Sequence, residues 1–153
     1  MIEVSERIEV QAAPRAVWEI LSNPRAVVEC VEGAEVGDQH EDGSYDAKMV
    51  VKFGPARVSF KTRFTLELDE GAMSGRVESR GKDNQGGTRV KTTMTFKIVE
   101  GAAPGSASIP IDAQVEISGK LASLVETGAN IVVKRMTADF TEKLAAKVGG
   151  AAV

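Results

Sequence analysis

The sequence predicts an α+β fold in which a curved antiparallel sheet of about seven strands wraps around a long C-terminal helix. Two short helices follow the first strand. Three observations carry this. From about residue 43 to residue 118, apolar and polar residues alternate with the two-residue period of half-buried strands. From Lys120 to about Lys147 the apolar period becomes helical, giving an element about 40 Å long at 1.5 Å per residue. An antiparallel sheet with one apolar face must cover that face, and no other segment is long enough to do so.

In chain order, Ile2, Val4, Ile8 and Val10 make a first strand in which Ser5 and Glu6 break the alternation. Pro14 suits a first helical position. Val17, Trp18, Leu21, Val27 and Val28 then fall on two short helices split at Asn23-Pro24, because proline ends a preceding helix. Gly33 opens a strand through Val36, which ends at the turn His40 to Gly43. Strands are expected over 43–53, 57–70, 73–82, 87–100 and 107–118. Their separators are Gly54-Pro55, Asp69-Glu70-Gly71, Asp83 to Gly87 and Gly101 to Gly105. The hairpin at Gly54-Pro55 should set Val51 opposite Val58 and Met49 opposite Phe60. On the final helix Leu121, Leu124, Val125, Gly128, Val132, Met136, Phe140 and Leu144 form one apolar stripe. This order of elements is that of a helix-grip fold. Residues 1–148 read as one such domain and 149–153 as a frayed tail.

The chain has 153 residues, a net charge of −3 and 42% hydrophobic residues, as expected of one soluble domain. The negative balance argues against nucleic-acid binding. The N-terminus lacks a basic stretch followed by an apolar run, so no signal peptide is expected. With Cys30 the only cysteine, an internal disulfide is excluded. A cytoplasmic location fits best.

Catalytic constellations are scarce. His40, the only histidine, reads as a solvated turn residue, and Cys30 as a small buried thiol without an activating partner. His, Cys and carboxylates do not cluster at ligand spacing, so neither metal nor cofactor is expected. The stretch Gly81 to Gly87 has glycines but no Gly-Lys-Ser/Thr ending and no following helix, so it reads as a hairpin loop. No catalytic residue can be named, and the inner sheet face offers only hydroxyls.

The apolar face is more informative. Tyr45, Met49, Phe60, Phe64, Met94 and Phe96 share its parity, with Thr62 and Thr92 among them. Core packing accounts for such residues in most proteins. A sheet gripping one helix can instead fail to close in the middle and leave a pocket. The candidate ligand-binding set is these eight residues together with Leu121, Leu124, Val125, Gly128, Val132 and Met136 of the helix. Gly128 and Ala129 either leave ligand room or allow close helix–sheet approach. The opposite face is basic, with Lys48, Lys52, Arg57, Lys61, Arg63, Arg89, Lys91 and Lys97. It is either a solvated face or a docking surface for an acidic partner or anionic headgroups.

Residues 14–35, 51–60, 79–98 and the segments 117–123 and 129–144 resemble the CoxG family, named for the G subunit of carbon monoxide dehydrogenase, within the START/SRPBCC-like helix-grip superfamily. One departure is that members commonly show Cys-Ile-Pro-Gly where this chain has Cys30-Val31-Glu32-Gly33. The change loosens the loop and places a charge in it. The resemblance implies a non-catalytic accessory protein of molybdenum hydroxylases, active in maturation or membrane attachment, and a cavity for a hydrophobic small molecule or lipid. It also implies possible peripheral contact at the inner membrane face. Two rivals stand beside this reading: an assembly factor with a filled core, and an enzyme of the polyketide cyclase or hydratase type.

Overall fold

The computed structural model describes residues 2–85 and 87–150. Its elements are β1 (Ile2–Val10), α1 (Pro14–Leu21), α2 (Pro24–Glu29), β2 (Ala34–Gln39), β3 (Tyr45–Phe53), β4 (Ala56–Asp69), β5 (Ser74–Asp83), β6 (Thr88–Lys97), β7 (Val99–Glu100), β8 (Ala107–Gly119) and α3 (Ala122–Lys147). The strands form one antiparallel sheet in the order β1-β8-β6-β5-β4-β3-β2, with the short β7 also on β8. This is the helix-grip arrangement, with eight strands rather than about seven. The expected strand over 87–100 is interrupted at Ile98, whose N–H donates to the Met73 carbonyl 2.9 Å away.

Local chemistry explains the boundaries. Proline opens both short helices, and the Asn23 side chain accepts from the N–H groups of Arg25 and Ala26 to cap the second. At the β3–β4 hairpin, Gly54 takes a positive φ of 63° and Pro55 follows with its ring-fixed φ. Phe53 pairs with Ala56, and Val51 faces Val58 and Met49 faces Phe60, the register expected from a two-residue loop.

β1 departs from the expectation. It is an unbroken strand paired with β8 from Ile2–Val115 to Val10–Ala107. Its even-numbered residues, Glu6 included, all lie on the less exposed side. Glu6 therefore does not interrupt the alternation; it occupies an inward position. Of the tail expected to fray, Gly150 hydrogen-bonds back to the Ala145 carbonyl at 2.9 Å. Residues 151–153 lie outside the described residues.

The core is divided. One cluster joins Ile8, Val10, Val17, Trp18, Leu21, Ile98, Ile109 and Leu144, where β1, β8, α1 and the C-terminal end of α3 meet. The other joins Phe53, Val58, Phe60, Val125 and Val132, where the β3–β4 hairpin meets the N-terminal half of α3. Between them, Val4, Phe64, Leu66, Val77, Met94 and Ala113 belong to neither cluster and stay half-buried, although they lie on the covered face.

A buried polar link fastens α3 at its start. Asp83 accepts from the Thr88 N–H at 2.8 Å, and the Thr88 hydroxyl accepts from the Leu121 N–H at 2.9 Å. No side chain caps this helix, so Thr88, fully buried, takes up one of its free N–H groups. Thr88→Val keeps the shape and leaves that N–H unpaired. The expected cost is about 1–3 kcal/mol, with faster amide exchange in the first turn of α3. Unchanged exchange there would show that the link does not hold the helix.

Candidate functional site

The space between the two clusters is a cavity of about 580 Å³, within the range of about 300–1,000 Å³ usual for small-molecule sites. Its floor is the inner sheet face. Antiparallel pairing stacks side chains in rows across it, including Val4–Ala113–Met94–Val77–Leu66 and Ile2–Val115–Thr92–Ser79–Phe64. Its roof is α3 through Val125, Ala129, Val132, Val133, Met136, Thr137 and Phe140, and α2 adds Pro24, Val27 and Val28.

Of the residues expected to bind a ligand, Met49, Phe60, Thr62, Phe64, Thr92, Met94, Phe96, Val125, Val132 and Met136 line this space. Four lie off it. Tyr45 stacks on Phe64, with ring centroids 5.2 Å apart and planes 15° from parallel, and so lies behind the wall. Leu121 and Leu124 pack against the Phe53–Phe60–Val125 cluster. A Cβ at Gly128 would come within 3.0 Å of the Phe53 ring, so this glycine serves close helix–hairpin approach and leaves no ligand room. The wall also includes the inward residues of β1 and β8, whose alternation was legible, and Phe53.

The polar groups of the lining are few. The Thr62 hydroxyl donates to the Ala47 carbonyl at 3.4 Å. Ser79 and Thr92 face each other across β5 and β6, and neither side chain has a hydrogen-bond partner among the described residues. Glu32, in the loop that departs from the Cys-Ile-Pro-Gly pattern, borders the cavity and lies 3.8 Å from Lys52. Glu6 also lines the cavity, which corrects the expectation that the inner face offers only hydroxyls.

His40 and Cys30 lie elsewhere. The His40 ring contacts Asp46 and Arg63 at 2.9 Å each, beside the β2–β3 turn. The His40 hydrogen bond and the Arg63 guanidinium hold the Asp46 carboxyl below the usual carboxylate range. Cys30 is fully buried at the end of α2, where burial pushes its thiol up and away from the nucleophilic thiolate.

The outer face gathers cations more densely than expected. Lys48–Lys61–Lys82–Arg89 form one row across β3, β4, β5 and β6, and Arg63–Arg80–Lys91 form the next. Arg80 and Lys82, absent from the expected set, supply the middle of both. Like charges directly opposite are destabilising by on the order of a few tenths of a kcal/mol per pair.

Over residues 7–149 the sequence matches the family model of CoxG, the G subunit of carbon monoxide dehydrogenase. The chain belongs to the CoxG family. Similar solved structures share the helix-grip fold of this CoxG-family chain. A conserved protein from Geobacillus kaustophilus is 16% identical with a TM-score of 0.82, covering 97% of this chain and 95% of that one. The Zhui aromatase/cyclase from a Streptomyces species is 13% identical with a TM-score of 0.66, covering 97% and 93%. A START superfamily protein from Mycobacterium smegmatis is 18% identical with a TM-score of 0.61, covering 96% and 97%. No curated protein matches the chain. Among the described residues of this CoxG-family chain, no helix is long and apolar enough to cross a membrane.

Proposed function

We propose that this protein is a non-catalytic carrier that holds a hydrophobic small molecule or lipid between α3 and the sheet. In this reading it assists the maturation or membrane recruitment of a molybdenum hydroxylase. The observation that supports it is the apolar cavity between two separately packed clusters. An assembly factor needs only a filled core, and the half-buried row from Val4 to Leu66 is a costly way to build one. The family membership supports an association with carbon monoxide dehydrogenase. Native mass spectrometry of freshly purified protein is expected to show an adduct of a few hundred daltons that organic extraction removes. An unadorned mass together with no uptake of an apolar probe would sink the carrier reading.

The basic outer face is the proposed docking surface, toward an acidic protein or anionic headgroups at the inner membrane face. The cytoplasm is the proposed compartment. Each basic residue near an anionic membrane contributes about 1 kcal/mol, so Lys61→Glu with Lys82→Glu should weaken vesicle binding about tenfold or more. Co-purification with the hydroxylase is the parallel assay. Identical behaviour of wild type and variant in both would reduce the face to a solvated surface.

A second reading, an enzyme of the cyclase type, is favoured by one observation, the presence of Glu6 among the residues that line the cavity. General acid–base chemistry on a bound ring would usually ask for a partner group. The other ionisable residues bordering the cavity are Glu32, on a loop, and Lys48, at an outward strand position.

A further inference from the structure

We propose that Glu6 orients the cavity's ligand, and that this ligand carries a hydrogen-bond donor on an apolar body: a hydroxyl, a phenol, an amide N–H or an ammonium group, and not a carboxylate. The proposal rests on the carrier reading and names the chemistry of its cargo. β1 places Ile2, Val4, Glu6, Ile8 and Val10 on one side, and Glu6 alone of these is polar. It pairs with Ile111, so apolar side chains flank it along and across the strand. It stands where the two core clusters separate, since Ile2 packs with one and Ile8 with the other.

Its outward neighbours are engaged: Ser5 donates to Asp112 at 2.6 Å, Arg7 donates to Ser108 at 3.0 Å, and Glu9 accepts from Ser108 at 2.8 Å. Among the described residues no hydrogen bond or ion pair reaches the Glu6 side chain. With no protein partner, the Glu6 carboxyl group takes its hydrogen bonds from water or from a ligand. A cavity built only to solvate a hydrocarbon would gain by another valine or isoleucine at this position. With two acceptor oxygens, a carboxyl group pairs more readily with a hydrogen-bond donor than with another carboxylate.

The test displaces pyrene, a neutral probe without polar groups, using 1-dodecanol, dodecylamine and dodecanoate, which share a chain length and differ in headgroup. Wild type is expected to prefer the amine and the alcohol over dodecanoate by about tenfold or more. Glu6→Val should bring the three within about twofold of one another while retaining pyrene. Glu6→Gln, closer in shape, should raise dodecanoate affinity and lower that of the amine. Equal affinities in wild type, a preference for dodecanoate, or discrimination that survives both substitutions would overturn the proposal alone. Failure of wild type to take up pyrene would overturn the carrier reading and this proposal with it.

Discussion

Replacing Ala113 with tryptophan should abolish uptake of apolar ligands while leaving the chain folded. Ala113 carries the smallest side chain in the row Val4–Ala113–Met94–Val77–Leu66 and lines the cavity midway between the two clusters. In a filled core, so large an insertion would force neighbours off their rotamers at a cost of about 1–3 kcal/mol or more. Here the indole has an empty space to enter, and it would bury apolar surface with the half-buried Val4 and Met94. The expected result is loss of pyrene binding with a thermal midpoint equal to or above that of wild type. Unchanged binding would place the ligand elsewhere. A collapse in stability would show that the row is packed against something.

Leu144→Ala should be as damaging as Met94→Ala is mild. Leu144 is fully buried where α3 meets α1, β1 and β8, in the cluster that also holds Trp18. It reaches the end of the cavity as well, but it is packed on its other sides by these elements, and losing those contacts costs about 3 kcal/mol. For a chain of this size that lowers the thermal midpoint by about 10 °C. Met94 already borders empty space, so its truncation enlarges an existing cavity instead of opening a new one. The expected loss is below about 1 kcal/mol, with a change in ligand affinity. Equal midpoints for the two variants would mean that the two clusters and the wall between them are one continuous core.

Much of this was legible locally. The parity of Met49, Phe60, Phe64, Met94 and Phe96 follows from the strand period alone, and the Gly54-Pro55 loop set the β3–β4 register observed. The helical period from Lys120 onward identified the one element able to cover the sheet. Arg80 and Lys82 were hidden because the inward residues of β5 are Gly75, Val77, Ser79 and Gly81. With so little apolar contrast, the two faces of that strand cannot be told apart by pattern. Tyr45 shares the inner parity of Phe64, and its removal from the cavity wall is a matter of ring stacking, which periodicity does not encode.

By itself the sequence determined the fold class, the order of elements, the apolar and basic sheet faces and the family. Each of these depends on contacts between residues near in the chain or on a repeat that a single strand or helix displays. Tertiary structure alone decided that the middle of the core is unfilled, that Gly128 closes against Phe53, and that Glu6 faces the resulting space. Cavity volume is set by how far apart α3 and the sheet are held by clusters at the two ends. Glu6 shares the inward parity of Ile2, Val4, Ile8 and Val10, but what it faces is set by the pairing of β1 with β8, more than a hundred residues away along the chain. Those distances arise only when separate elements meet.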